Sequence, residues 1–390
     1  MRVVLLGASG SIGKQTLDVM EKNPSDFTLV AFSVGKRTRC ISNILKKHKE
    51  VRYVALIDEV KAKKYAQKYP NVKFVSTSKD WSKVLEIIDH TDNEMVVNAL
   101  VGFAGLLPSY HTLKKDKILA LANKESLVVG GELLNRLLKE GKGKLYPIDS
   151  EHSALWKCLK VDNKQVKKLV LTASGGSFRH LRRDQLVGVS AEDALKHPTW
   201  SMGAKITIDS ATMINKCFEL IEAYHLFGYK MDKLDVVLHD ESYLHSYVLY
   251  NNGLKRGEIN KPDMRNPIKF ALYQGEIPFD TQVFNELEDL KNLHFHPFNE
   301  QRYPLVKKLA NKVISCQGLY GAALNASNEE AVYAFLRGDI SFLDIEDIIL
   351  KVMSHVKKEN KVLNIEDYIE ADKKFRNIAQ ELINKKGGKR

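Results

Sequence analysis

Met1-Arg2-Val3-Val4-Leu5-Leu6-Gly7-Ala8-Ser9-Gly10-Ser11-Ile12-Gly13 opens the chain and decides the fold. Residues 3–6 are a short continuous apolar run, the pattern of a strand covered on both faces. Glycines at 7, 10 and 13 follow, and a helical pattern spans residues 12–21. A tight strand-to-helix turn needs glycine torsions, and a pyrophosphate needs close backbone approach. The helix N-terminus would then face the anion with N–H groups and the positive end of its dipole. Outward from this turn, strand and helix patterns alternate: residues 29–33, 41–48, 53–57, 60–68 and 95–100. Such alternation predicts a parallel sheet with crossover helices, assigned here to residues 1–148.

The end of the second strand bears on the cofactor. Domains that bind NAD place Asp or Glu there for the ribose 2′-hydroxyl. This chain has Ser33-Val34-Gly35-Lys36-Arg37, with two cations and no carboxylate. The expected ligand is therefore NADP(H), its 2′-phosphate met by Lys36 and Arg37.

Beyond residue 148 the pattern changes. Residues 169–172, 205–208, 235–238 and 246–250 read as strands separated by polar loops, predicting an α+β domain over residues 149–288. A linker rich in charge and histidine is expected over 289–304. A helical domain is expected over 305–390, with helices near 321–336, 345–358 and 365–384 and a disordered tail from 385. The fold class expected is α/β: a Rossmann-like parallel-sheet domain, a central α+β catalytic domain and a C-terminal helical domain.

Composition removes several classes. The 390 residues are 44% hydrophobic and 28% charged, as in a soluble globular protein of two or three domains. No apolar run reaches the roughly 20 residues of a membrane span. The net charge of +12 comes from lysines spread along the chain, such as Lys46-Lys47, Lys167-Lys168 and Lys307-Lys308. No basic stretch is interleaved with base-stacking aromatics, so no nucleic-acid partner is expected. Cys40, Cys158, Cys217 and Cys316 form no CxxC pair and read as reduced thiols. Residues 1–6 enter a strand with no leader-like segment, which predicts a cytoplasmic protein or one already stripped of a leader.

Four polar clusters remain. Asp149 and Glu151 stand two apart, which in extended backbone puts both carboxylates on one side. Like charges held together call for a cation, and oxygen-only ligands suit Mg²⁺ or Mn²⁺. Asp209-Ser210 lead into a strongly apolar helix in which Asn215 and Glu219 share a face, with Lys216 beside them. A hydroxyl, an amide and an ammonium together suit a phosphate, and Glu219 could supply a third carboxylate. On an ordinary amphipathic helix, Lys216 and Glu222 would instead be exposed. Ala173-Ser174-Gly175-Gly176 could form an anion nest, and His197 with Trp200 could belong to a closing loop. No GxSxG elbow supports a Ser–His–Asp hydrolase.

Together these stretches carry a resemblance. Gly7 to Gly13, Ala122-Asn123-Lys124-Glu125-Ser126, Asp149-Ser150-Glu151-His152, Ala173 to Gly176, Trp200 to Gly203, Lys205 to Thr212, Asn215-Lys216 with Glu219, Pro262-Asp263-Met264-Arg265 and Asn328-Glu329 occur in one order. Along nearly its whole length the chain resembles the 1-deoxy-D-xylulose 5-phosphate reductoisomerase family. The resemblance implies NADPH contacts at Gly7, Ser9, Gly10, Ser11, Ile12, Gly35, Lys36, Arg37, Asn123, Glu125 and Gly203. It implies Mg²⁺ or Mn²⁺ held by Asp149, Glu151 and Glu219, with Lys124 completing the catalytic set. Substrate contacts would come from Lys124, Ser150, Glu151, Ser174, His197, Trp200, Ser210, Asn215, Lys216 and Glu219. Ser174, Ser210, Asn215 and Lys216 would take the phosphate end. The implied reaction is carbon-skeleton isomerisation, usually described as retro-aldol then aldol, followed by reduction to 2-C-methyl-D-erythritol 4-phosphate. A homodimer with a small phosphorylated sugar as its ligand is also implied.

The chain departs from the family pattern at four places. His239-Asp240-Glu241-Ser242 stands for His-Pro-Gln-Ser, and Thr199 for the Asn before the flap tryptophan. Cys217 stands for a Gly and Ser177 for a Pro. Asp240 and Glu241 are expected to face solvent or to pair with cations such as Lys255 or Arg256. Two other functions compete: an NADP-dependent dehydrogenase of another phosphorylated sugar, without isomerisation, and a non-catalytic NADPH-binding regulator.

Overall fold

The opening apolar run becomes the middle of a sheet. In the computed structural model, which describes residues 1–276, 292–358 and 361–387, strand β1 (Arg2–Leu6) has Val3 to Leu6 fully buried. Six more parallel strands flank it: β2 (Thr28–Val34), β3 (Tyr53–Leu56), β4 (Lys73–Ser76), β5 (Met95–Asn98), β6 (Ile118–Leu121) and β7 (Lys144–Pro147). The order is β4-β3-β2-β1-β5-β6-β7. Strands added after β1 run to one side and those from β5 run to the other. The loops after β1 and β5 therefore flank a topological switch point, where open α/β sheets bind ligands.

This sheet belongs to the first of two compact units, made of residues 1–123, 134–149 and 264–276. The last stretch was expected in the central domain. Its helix Arg265–Leu272 instead buries Ile268, Ala271 and Leu272 in the core that holds Val3, Leu5, Leu17 and Met20. Arg265 Nε lies 2.5 Å from Asp18 Oδ2, fixing that helix against Ser11–Lys22. An apolar face decides where a segment packs, whatever its neighbours in sequence do.

The second unit comprises residues 124–133, 150–263 and the described residues from 292 onward. Its sheet contains β8 (Val166–Ala173), β9 (Leu234–His239), β10 (Leu244–Tyr250), β11 (Lys255–Ile259) and β12 (Phe295–Pro297), in the order β11-β10-β8-β9-β12. Helices Ser150–Val161, Ala204–Thr212 and Ile214–Phe227 belong to this unit, as do Val306–Cys316, Tyr320–Arg337, Asp344–Met353 and Ile365–Gly387.

Three expectations are corrected here. Residues 205–208 are helix, not strand. The β-branched run Ile206-Thr207-Ile208 imitates a strand locally, but helix places Lys205 and Asp209 one turn apart, where they form a buried pair at 2.8 Å. Glu151 is not extended: it lies in the first turn of Ser150–Val161, where the helix dipole favours a carboxylate. The stretch 292–304 is no loose linker, because β12 pairs with β9 and Arg302 and Tyr303 are buried. The expected boundary at 288/289 lies outside the described residues. Of the expected tail, 385–387 continue the last helix and 388–390 lie outside the described residues.

Candidate active site

In the first unit, the glycine turn follows β1. A Cβ on Gly13 would lie 2.3 Å from Gly7 O and 2.7 Å from Ala8 Cα, so the helix can approach the turn only with glycine there. The helix begins after Gly10 without a side-chain cap and without an acidic residue in its first turn. Ser9 is buried, Ser11 exposed, Gly7, Gly10 and Ile12 intermediate. Gly7 N and Ala8 N donate to Ser33 Oγ and O, at 3.0 and 2.8 Å, joining the turn to the end of β2. Gly35, Lys36 and Arg37 follow directly, with both cations exposed. Asn123, just past β6, donates to the carbonyls of Leu100 and Gly102 at 3.0 and 2.9 Å and so braces the loop after β5.

In the second unit, acidic and basic side chains converge around helix Ile214–Phe227. Met213, at φ 61, separates this helix from Ala204–Thr212. Lys216 Nζ donates to Glu151 Oε1 at 2.8 Å, to Thr172 O at 2.6 Å and to Glu219 Oε2. Burial alone would push this ammonium's pKa down. The Glu151 and Glu219 carboxylates outweigh that and hold it above its ordinary value. Lys124 Nζ reaches Glu219 Oε1 at 3.1 Å and Asn215 Oδ1 at 2.9 Å. Asn215 Nδ2 donates to Glu219 Oε1 at 2.5 Å, and Ser150 Oγ to Glu151 Oε2 at 2.6 Å. Lys124, Ser150, Glu151, Asn215, Lys216 and Glu219 are thus brought together. Asp149 ends the first unit and is joined through Ser150 to Glu151 in the chain.

A second cluster lies at the end of β8. Gly175 and Gly176 have φ of 79 and 70. A Cβ on Gly176 would lie 2.5 Å from Ser210 O, so this loop sits against helix Ala204–Thr212 as only glycine allows. His197 Nε2 is 3.0 Å from Ser174 Oγ and 3.2 Å from Ser210 Oγ. Its Nδ1 accepts the backbone N–H groups of Thr199 and Trp200, at 3.1 and 2.9 Å. Nδ1 is thereby an acceptor, which leaves the ring proton on Nε2, facing the two hydroxyls. Burial, then Arg179, pushes the imidazole down to about 4, so it is neutral at physiological pH. Because Nδ1 faces backbone N–H groups and not a carboxylate, this is no Ser–His–Asp triad. The Trp200 ring packs 6.5 Å from the ring of buried His245.

The two remaining cofactor candidates in this unit differ. Glu125 is buried and its carboxylate accepts from Lys205 Nζ at 2.7 Å. Gly203 precedes helix Ala204–Thr212, is exposed, and has open space where a Cβ would stand.

Sequence reasoning missed several residues. Glu222, expected at the surface if the helix were ordinary, is fully buried, with Oε2 3.4 Å from Nδ1 of the equally buried His152. His152 Nε2 lies 2.9 Å from the Glu219 carbonyl, directly behind that carboxylate's helix turn. The signal was present: Lys216, Glu219 and Glu222 recur every three residues along a helix that also buries Phe218, Leu220, Ile221 and Ala223. The departures are also accommodated. Glu241 accepts from His294 Nδ1 at 2.6 Å and His294 N at 2.9 Å, and Asp240 lies 3.7 Å from His296. These partners are histidines and not the expected Lys255 or Arg256. Ser177 Oγ donates to Ala194 O at 2.6 Å, and Cys217 is fully buried.

Comparison with known proteins covers nearly the whole chain. Residues 3–131 match the family model for 1-deoxy-D-xylulose 5-phosphate reductoisomerase, residues 145–227 its C-terminal-domain model, and residues 259–378 the DXP reductoisomerase C-terminal domain. The chain is 43% identical over 386 residues to 1-deoxy-D-xylulose 5-phosphate reductoisomerase 2 of Bacillus anthracis, covering 98% of this chain and 99% of the relative. It is 38% identical over 387 residues to the reductoisomerase of Listeria innocua, covering 98% and 100%. Among solved structures, a DOX-P reductoisomerase in complex with NADPH, fosmidomycin and magnesium superposes with TM-score 0.89 at 33% identity, and 98% of both chains are covered. The Zymomonas mobilis reductoisomerase in complex with NADPH gives 0.86 at 32%, with the same coverage.

Proposed function

Because the chain belongs to the 1-deoxy-D-xylulose 5-phosphate reductoisomerase family, we propose that it converts 1-deoxy-D-xylulose 5-phosphate to 2-C-methyl-D-erythritol 4-phosphate, using NADPH and a divalent metal. One observation carries this reading onto the chain's own residues. Within one unit, Glu151 and Glu219 gather on cationic groups while Ser174, His197 and Ser210 form a neutral hydrogen-bonded group. The first suits a cation and the second a phosphate.

The residues fit a hard divalent ion. Two buried or half-buried carboxylates are already held at a positive charge, and every candidate ligand atom is oxygen. Glu151 and Glu219, with Asp149 two positions earlier in the chain, would hold Mg²⁺ or Mn²⁺. When bound, the metal supplies Lewis-acid stabilisation of oxyanion charge during the rearrangement of the carbon skeleton. Lys124, held by Asn215 and Glu219, is placed to neutralise further negative charge on the sugar. Lys216 and Asn215 hold carboxylates in the first cluster, and it is the family resemblance that assigns them to the phosphate end. His197 donates from Nε2 without adding charge, and Trp200, whose backbone N–H holds His197 Nδ1, would belong to the flap over the substrate.

The glycine turn fits a dinucleotide, since its helix start is uncapped and a Cβ on Gly13 would fill the turn. Lys36 and Arg37 would take the 2′-phosphate, with Ser9, Gly10, Ser11 and Ile12 at the pyrophosphate. When bound, NADPH supplies the hydride for the reduction. Among the described residues no helix is long and apolar enough to cross a membrane. A homodimer in the cytoplasm completes the reading, and light scattering tests the assembly.

The reading is tested by following NADPH consumption with 1-deoxy-D-xylulose 5-phosphate. Turnover should stop on chelation and return with Mg²⁺ or Mn²⁺. Turnover that survives complete chelation would remove the metal from the account.

A further inference from the structure

Helix Ala204–Thr212 presents Ser210 toward His197, and the same helix carries a buried ion pair. Lys205 Nζ lies 2.8 Å from Asp209 Oδ2 and 2.7 Å from Glu125 Oε1, over the Phe218 ring at 5.1 Å. Asp209 Oδ1 accepts from Asn328 Nδ2 at 2.8 Å. Exposures are 6% for Lys205, 2% for Asp209 and 0% for Asn328. Asn328 belongs to Tyr320–Arg337, a helix held in turn by Arg376, which binds Glu329, Glu330 and Asp372 at 2.8, 3.0 and 2.7 Å.

A buried charge cluster of this kind adds little to stability compared with apolar packing of the same volume; its attested use is to select one arrangement. Here each Asp209 oxygen is fixed by a partner on a different side, one from its own helix and one from Asn328. Fixing that carboxylate fixes the backbone of the last helical turn, which contains Ser210. The Ser210 carbonyl is also the surface on which Gly176 rests.

We infer that Asn328 is a positioning residue for the reaction: through Asp209 it sets the place of Ser210 and of the Ser174–Gly176 loop packed on it, and so the affinity for the phosphate end of the substrate. Asn is required there because it donates; Asp at 328 would set an acceptor against an acceptor. The inference rests on the reading of Ser210 as a phosphate contact, and the test separates the two.

The full-length variants Asn328→Asp, Asn328→Leu, Asp209→Asn, the Asp209→Asn/Asn328→Asp pair and Ser210→Ala are assayed at saturating Mg²⁺. Asn328→Asp should raise KM for 1-deoxy-D-xylulose 5-phosphate about tenfold, the effect of losing one buried hydrogen bond, while KM for NADPH changes little. Asn328→Leu, which fills the space without donating, should raise KM for the sugar phosphate in the same way, with a fall in melting temperature of a few degrees and an unchanged KM for NADPH, and guards against a misfolded Asn328→Asp. The pair swaps donor and acceptor and should recover most of the lost affinity. If Ser210→Ala raises KM but both folded Asn328 variants keep the wild-type value, the inference is overturned and the reading stands. If Ser210→Ala leaves KM unchanged, the reading of Ser210 falls and the inference with it. Equal losses in both KM values and in melting temperature would show a merely structural role and overturn the inference.

Discussion

Two polar clusters in the second unit handle opposite charges in opposite ways. Around Lys216, carboxylates and ammonium groups interlock, so charge is dense and nearly balanced. Around His197, hydroxyls meet an imidazole that burial, then Arg179, keeps uncharged, its Nδ1 held by backbone N–H groups. On the proposed reading, the first would hold a divalent cation among these charges. The second can accept an anion without a proton or a carboxylate in the way. Neutrality at His197 is as much a built feature as charge at Glu219.

The most severe way to break the first cluster is Glu219→Gln. Turnover should fall roughly a hundredfold or more, the scale of losing a group that stabilises transition-state charge, while NADPH binding persists. Near-normal turnover would show that Glu219 is not a metal ligand.

The second cluster is sharpened by His197→Ala, which should raise substrate KM by about tenfold to a hundredfold, at 1.4 kcal/mol per tenfold. In the intact protein, KM should show no step from this group between about pH 6 and 8, because it titrates near 4. A KM step near neutral pH that His197→Ala removes would contradict a neutral imidazole. The sign for stability follows from the same depression. The unfolded histidine takes its proton near the ordinary 6.5 and the folded one only near 4, so this group lowers stability as pH falls from 6.5 toward 4.

Replacing Lys36 and Arg37 by Ala should weaken NADPH about tenfold and leave NADH nearly unchanged, read by titrating each cofactor. Equal use of both cofactors by the unmodified protein would remove these cations from cofactor choice. The smallest effect belongs to Asp240→Pro with Glu241→Gln. Both carboxylates already have histidine partners, so substrate KM should move only about twofold to threefold, as expected for exposed pairs. Hydrogen bonding to Glu241 and its charge raise the His294 pKa, so that pair holds while Glu241 is ionised and fades as pH rises through the raised histidine value.

Legibility followed the range of the interactions. The glycine turn, the parallel alternation and the Ser174–Gly176 loop are local and were readable from spacing. Lys205 to Ile208 misled because β-branched residues look alike in strands and helices until a partner at i+4 is seen. The placing of Glu151 required knowing that a helix starts at Ser150. Glu222 was readable from its repeat with Lys216 and Glu219, though its partner His152 was not. The contacts of Glu125 with Lys205 and of Asp209 with Asn328 span 80 and 119 residues, and no local pattern marks them. The family resemblance gathered the candidate residues, and the structure supplied their burial and the hydrogen bonds that link them.

The reaction proposed for this protein rearranges the carbon skeleton of its substrate as well as reducing it. The most direct measurement is carbon NMR of the product formed from isotopically labelled 1-deoxy-D-xylulose 5-phosphate with NADPH and Mg²⁺. The account predicts a branched product, 2-C-methyl-D-erythritol 4-phosphate, formed in step with NADPH oxidation. An unbranched polyol phosphate formed at the same rate would contradict it and leave a plain dehydrogenase.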